Sequence, residues 1–394
     1  MRRFLAISMA LVLGISAWGQ GVQERCTRHT MKFQGFEREY YLYTPANLAE
    51  KAPLVMVLHG YGGSAIKGRK EMMDVADKYG FAVCYPQGEK DPSGKTGWNV
   101  GYPKQEGMKT DDVKFICALA KKVCRDNGFD AGNTFLTGMS NGGEMCYLTA
   151  MRKPKAFKAI ASIAGLTMEW IAREYSYSRP VPFMEVHGTE DRTSEWYGDP
   201  DNNGGWGEYL PVPVSVARVV TAAGCTSETV TEMPLREGHN QVILYSFGKG
   251  IPAANGRPTE VRLYQVVGGK HSWALDDMDT CEEIWQFFSL CKEITICGIQ
   301  TICRECAGIY DDFALIVTIG GIAVDSGYTK IASSLSQLFL EFCIVCFSSR
   351  DGTDSEDGVE TRYCSSFVFV GRPCKCLLIV MVENVLGDQR YSGG

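Results

Sequence analysis

The feature that most constrains this chain is Gly138-Met139-Ser140-Asn141-Gly142. It follows the apolar run Thr134-Phe135-Leu136-Thr137 and precedes a helix-like run from Glu144 to Met151. A serine between glycines at a strand-to-helix turn is lifted clear of a sheet, and the turn is so tight that only small residues fit beside it. Gly143 adds another small residue where the helix must pack closely. The rest of the chain repeats the same alternation. Glu39–Tyr43 alternates and ends before Pro45, and Pro53–Leu58 is a continuous apolar run, as a strand covered on both faces requires. Phe81–Tyr85, Ala159–Ile163, Val181–Val186 and Val261–Val267 complete the strand candidates. Asp111–Val123 places Val113, Ile116, Ala120 and Val123 near a 3.6-residue period, and Asp277–Leu290 reads as a closing helix. Asp111-Asp112 reads as a helix cap rather than as chemistry. This alternation predicts an α/β fold with a mostly parallel sheet. Trp196–Pro213, rich in Gly, Asp, Asn and Pro, predicts an exposed loop in a place suited to facing a substrate.

A serine hydroxyl is a poor nucleophile at neutral pH. It needs a base, normally histidine, and that histidine needs an orienting carboxylate. The chain has 5 His: His29, His59, His187, His239 and His271. Where such a turn belongs to an α/β-hydrolase, the acid and then the base follow the serine in chain order. His271, in Gly268-Gly269-Lys270-His271-Ser272-Trp273 after the last strand candidate, is the expected base. His239 precedes that strand and reads as a surface residue. Asp191 ends Val186-His187-Gly188-Thr189-Glu190-Asp191 and is the expected acid, with Glu190 as competitor. A developing oxyanion needs N–H donors fixed in advance. Asn141 supplies one, and Tyr61 in His59-Gly60-Tyr61-Gly62-Gly63 the other, with Gly62 as rival. His59 reads as a structural residue of that turn. Trp98 and Trp273 are the candidate substrate-binding rings, able to stack on a sugar or an aromatic acyl group, with core packing the alternative for each. The chemistry requires no metal and no organic cofactor.

The set LHGYGGS, YPQG, GWN, DDV, GMSNGGEM, HGTED and GGKHSW resembles the poly(3-hydroxybutyrate) depolymerase-like and feruloyl esterase branch of carbohydrate esterase family one, over roughly Arg38 to Leu290. The resemblance implies the α/β-hydrolase fold, with a mostly parallel central sheet and helices on both faces. It implies that Ser140, Asp191 and His271 form the triad, with Trp273 as an aromatic near the cleft. It further implies a serine carboxylic-ester hydrolase, in the first place a feruloyl or acetyl xylan esterase. A polyhydroxybutyrate-type polyester depolymerase is the alternative, and a catalytically silent carbohydrate-binding relative is another. After HGTED the chain runs Arg192-Thr193-Ser194-Glu195-Trp196-Tyr197 where the family has a Val-Pro-Tyr pattern, so the pocket wall departs from the family there.

Arg2 and Arg3, the apolar run Phe4–Ile15 and Ala17-Trp18-Gly19 predict a signal peptide over 1–19 and a secreted or periplasmic protein. The expected catalytic domain is 20–291. The 40 Lys+Arg against 46 Asp+Glu leave a net charge of -6, with no basic field for a nucleic acid. No second apolar run reaches membrane-spanning length, so no stable span is expected after signal cleavage. The expected partner is therefore an ester substrate, polysaccharide-linked. Export also tolerates the 16 Cys, since an oxidising compartment permits disulfides. Residues 292–394 form a Cys-rich tail without clear periodicity. Its pairs Cys303/Cys306 and Cys343/Cys346 leave three readings open: a zinc site, a disulfide-rich module, or a tail with no selected function.

Overall fold

Leu54, Met56 and Leu58 fall in one buried cluster and Val55 and Val57 in another, so this strand is covered on both faces. That is the arrangement its unbroken apolar run demands. The computed structural model describes residues 22–46, 48–253 and 257–292, together with the backbone of four strands beyond them. The expected signal peptide lies outside the described residues, as does most of the Cys-rich tail with the side chains of both C-x-x-C pairs.

The strands are β1 (Thr27–Phe33), β2 (Phe36–Tyr43), β3 (Leu54–Leu58), β4 (Ala82–Pro86), β5 (Glu89–Lys90), β6 (Thr96–Gly97), β7 (Thr134–Met139), β8 (Ile160–Ile163), β9 (Phe183–Gly188), β10 (Ser227–Glu232), β11 (Val242–Gly248) and β12 (Val261–Val266). Ten of them form one sheet in the order β1-β2-β4-β3-β7-β8-β9-β12-β11-β10, and β5 and β6 pair separately. The six central strands from β4 to β12 run parallel, while β1, β2, β10 and β11 add antiparallel edges. The helices are α1 (Val22–Arg25), α2 (Glu71–Tyr79), α3 (Asp112–Asn127), α4 (Asn141–Arg152), α5 (Glu169–Glu174), α6 (Val212–Ala223) and α7 (Thr280–Cys291). Apolar residues of α2 and α7 join the cluster on one face of the sheet, and those of α3, α4 and α6 join the cluster on the other. This is the α/β-hydrolase arrangement, a mostly parallel sheet between helices. A second unit, Ile294–Gly394, contains β13 (Ala314–Ile319), β14 (Phe342–Phe347), β15 (Ser365–Gly371) and β16 (Leu377–Val382), a four-stranded sheet of order β13-β16-β15-β14.

Both aspartates before α3 are structural. Asp111 accepts a hydrogen bond from Lys114 N at 3.2 Å and caps the helix. Asp112 is buried and pairs with Arg38 Nη2 at 2.8 Å, while its second oxygen accepts from Asn99 N. Arg38 also lies 3.7 Å over the Phe115 ring and reaches Glu89. It thereby ties β2 to α3. Removing one member of a buried pair leaves the other charge uncompensated. Arg38→Met should therefore cost roughly 3–5 kcal/mol in denaturant unfolding, and Asp112→Asn in the same chain should recover part of it.

In α4 the carboxyl of Glu144 is buried, and burial pushes its pKa up to about 7 against hydrogen bonds from Tyr102 and Asn141. In the unfolded chain the group ionises near its ordinary 4.5. The folded state thus holds more protons between about pH 4.5 and 7, and stability must fall as pH rises through that window. Glu144→Gln should keep the Tyr102 hydrogen bond and remove this slope. The expected gain in unfolding free energy is on the order of 3 kcal/mol at pH 8 and near zero below pH 4.5, read from urea denaturation at both pH values.

Candidate active site

Ser140 sits between β7 and α4 with φ 56° and ψ −125°, a left-handed backbone that a residue bearing a Cβ adopts at a cost. The surroundings enforce it. A Cβ on Gly138 would lie 2.6 Å from Gly142 O and 2.8 Å from Leu58 Cβ. One on Gly142 would lie 2.7 Å from Leu58 O. The two glycines of the motif are therefore places where backbone touches backbone. A Cβ on Gly143 would lie 2.9 Å from Gly165 Cα, the close approach that seats α4 against the segment after β8. Ser140 N–H donates to Ile163 O at 2.8 Å, and Ser140 O accepts from Glu144 N at 2.9 Å. The backbone of Ser140 is thus committed and its side chain is half-buried at the carboxyl edge of the sheet.

Asp191 and His271 leave the same edge, after β9 and β12, which are adjacent and parallel. Their loops are sewn together. Thr189 N–H donates to Val266 O, Glu190 N–H to Gly269 O, and Gly268 N–H to Thr189 Oγ1. A Cβ on Gly188 would lie 2.2 Å from Gly269 O, so only glycine permits the approach. The result is a 2.6 Å contact between Asp191 Oδ2 and His271 Nδ1. The other carboxylate oxygen accepts from Thr193 N and Ser194 N at 2.7 and 2.9 Å. Burial works to raise the Asp191 pKa, but the His271 hydrogen bond and charge and the Ser194 amide more than offset it and hold the group below the usual carboxylate range. Asp191 is therefore an anion that accepts, so the His271 proton resides on Nδ1 and Nε2 is left as the basic nitrogen. Glu190, the competing carboxylate, is exposed.

On the β3 side, Gly62 N–H donates to Thr96 O at 2.7 Å and Gly63 N–H to Gly60 O at 3.0 Å. The rival amide of Gly62 is thus engaged, which favours that of Tyr61. His59 braces the turn: Nδ1 faces Gly60 O at 2.8 Å, and Nε2 accepts from Gly88 N at 3.0 Å. Burial lowers its pKa, and the imidazole is neutral with its proton on Nδ1. Asn141 is buried, with its side-chain oxygen accepting from Trp98 N and its amide donating to Trp98 O.

The expectation that Trp98 stacks on substrate is not met. Its ring is 0% exposed, lies 5.1 Å from the His59 ring, and donates Nε1–H to His59 O at 2.8 Å. The indole is consumed in bracing the loop that carries Tyr61. Trp273 is half-buried, with the Arg69 guanidinium 5.9 Å over its ring. The Trp196–Pro213 loop is exposed only in part: Tyr197 is 80% exposed, while Trp196, Asp199 and Tyr209 are buried. This loop delivers Trp206, which sequence reasoning passed over. The Trp206 ring is half-buried, 5.4 Å from Tyr61 and 5.3 Å from Tyr102, with Lys104 Nζ 4.1 Å over it. An aromatic residue inside a loop otherwise rich in Gly, Asp and Asn was the available signal. Cys26, Cys84, Cys117, Cys124, Cys146, Cys225 and Cys281 are free thiols. Among the described residues no group of three or more His, Cys, Asp or Glu is placed to hold a metal ion, and no helix is long and apolar enough to cross a membrane.

Parts of the chain are similar in sequence to known esterases. A bifunctional acetylxylan esterase/xylanase of Neocallimastix patriciarum is 26% identical over 260 residues, covering 65% of this chain and 34% of that protein. Feruloyl esterase B of Neurospora crassa is 30% identical over 161 residues, 40% of this chain and 54% of that one. An acetylxylan esterase of Coprinopsis cinerea is 29% identical over 178 residues, 42% of this chain and 46% of that one. The chain spans about a third to just over half the length of these curated relatives. Residues 38–172, from β2 through the Ser140 turn and α4 into α5, match the family described as Esterase PHB depolymerase.

Proposed function

We propose that the chain is an exported serine carboxylic-ester hydrolase acting on feruloyl or acetyl esters of xylan, with residues 20–291 as its catalytic domain. The observation that carries the reading is the Asp191–His271 pair at 2.6 Å, on the same sheet edge as the strained Ser140 turn. His271 Nε2 removes the Ser140 proton as Oγ attacks the ester carbonyl. The Asn141 and Tyr61 amides receive the negative charge on the carbonyl oxygen. The tetrahedral species collapses, His271 gives its proton to the departing alcohol, and an acyl-enzyme remains. Water, deprotonated by the same imidazole, releases the acid. Asp191 stays ionised throughout and offsets the imidazolium charge. The sequence supplies the export segment, and the related feruloyl and acetylxylan esterases support the substrate class. Trp206 and Tyr61, with Trp273, are the rings available to a feruloyl group or a sugar face.

Ser140→Ala should lower kcat on a chromogenic acetate ester by roughly four to six orders of magnitude while leaving the melting temperature near that of the parent. Retention of near-full rates would overturn the reading. Rates on methyl ferulate, acetylated xylan and a hydroxybutyrate oligomer, measured side by side, separate the xylan esterase from a polyester depolymerase. Inertness toward all three would mark a silent binding relative. Trp206→Ala should raise KM for methyl ferulate about tenfold with kcat little changed, as loss of a stacking ring does when it binds ground and transition states alike.

A further inference from the structure

Close to Asp191 lies a second imidazole that the chemistry above does not use. His187 is buried, as is Glu185 two residues earlier on β9. Its Nε2 lies 2.7 Å from Ser194 O and 3.6 Å from Asp191 Oδ2, the same oxygen that His271 engages. Its Nδ1 lies 3.0 Å from Glu185 Oε1, which also accepts from Gly165 N at 3.3 Å. A carbonyl oxygen only accepts, so Nε2 must carry a hydrogen, and its donation to Ser194 O settles the ring orientation. The Ser194 carbonyl belongs to the turn whose amides at 193 and 194 grip Asp191 Oδ1. One side chain therefore fixes the turn that fixes the carboxylate. The Trp196 ring closes the pocket edge-on at 6.0 Å.

We propose that His187, oriented by Glu185, is a positioning residue for Asp191: its Nε2–H pins the 191–194 turn, so that the carboxylate meets His271 Nδ1 in line. The inference rests on the serine-esterase reading. Glu185 and His187 share one hydrogen across their contact, and both protonation arrangements keep the Nε2–H donation intact. The pair supplies the triad's acid with a rigid socket where water would otherwise solvate it.

The test compares three variants of the full chain. His187→Leu removes the donor. His187→Gln places an amide N–H near the position of Nε2. Glu185→Gln keeps a partner for Nδ1. Ser140→Ala and parent chains serve as controls. Positioning predicts that His187→Leu loses tenfold or more in kcat on a chromogenic acetate ester with KM within twofold, and that His187→Gln recovers most of that loss. Glu185→Gln should fall within about threefold of the parent. A folded His187→Leu with parental kcat overturns the proposal, as does equal loss in His187→Leu and His187→Gln. Failure of all three variants to fold shows a role in stability alone and overturns it too. Should the parent be inactive, or Ser140→Ala as active as the parent, the esterase reading falls first and takes this proposal with it, an outcome the controls report separately.

Discussion

The contact on which this structure depends is a crowded one: the first turn of α4 lies against the ends of β3 and β7 with no room for a Cβ at Gly138 or Gly142. That crowding forces the intervening residue into a left-handed conformation at φ 56°. It also leaves Asn141 N–H at the first position of a twelve-residue helix, where it has no partner within the helix and the helix dipole is positive. Strain, a raised hydroxyl and an oriented donor are thus consequences of a single packing arrangement.

The rest of the site is built by loops that brace one another. The segments after β9 and β12 are joined by three hydrogen bonds before either candidate catalytic side chain is reached. On the opposite flank, His59 and Trp98 hold the Tyr61 turn against Asn141 through backbone atoms. Polar groups buried under the sheet edge, Glu144, Glu185 and His187, are costly to desolvate and useful to stability only when paired. Their concentration beneath one edge fits a site that trades stability for fixed geometry.

Legibility varied with burial. β3, β7, β9 and β12 are apolar strands in the sheet, and their runs stood out in the sequence. β1, β10 and β11 are exposed or half-buried edges, so their residues alternate weakly and were not anticipated. α2 and α6 were missed as well; α2 is only 9 residues long, and α6 begins Val-Pro-Val, which reads as a strand end. Trp98 illustrates a different limit. Stacking on a ligand and packing in the core were both open to its ring, and the structure buries it with its nitrogen spent on the His59 carbonyl.

By itself the sequence pointed to the strand–turn–helix at Ser140, since its glycines lie between a strand-like run and a helix-like run, and to the α/β layering, since apolar runs must be covered. It also narrowed the acid and base to a few residues by chain order. Tertiary structure alone decided that Asp191 rather than Glu190 meets His271, and that the Gly62 amide is already engaged by Thr96 O. It alone brought Trp206 beside Tyr61 and set His187 within 3.6 Å of Asp191. The reason is physical: local pattern encodes which face of an element is buried, whereas partnership between side chains far apart in the chain depends on how strands order themselves in the sheet.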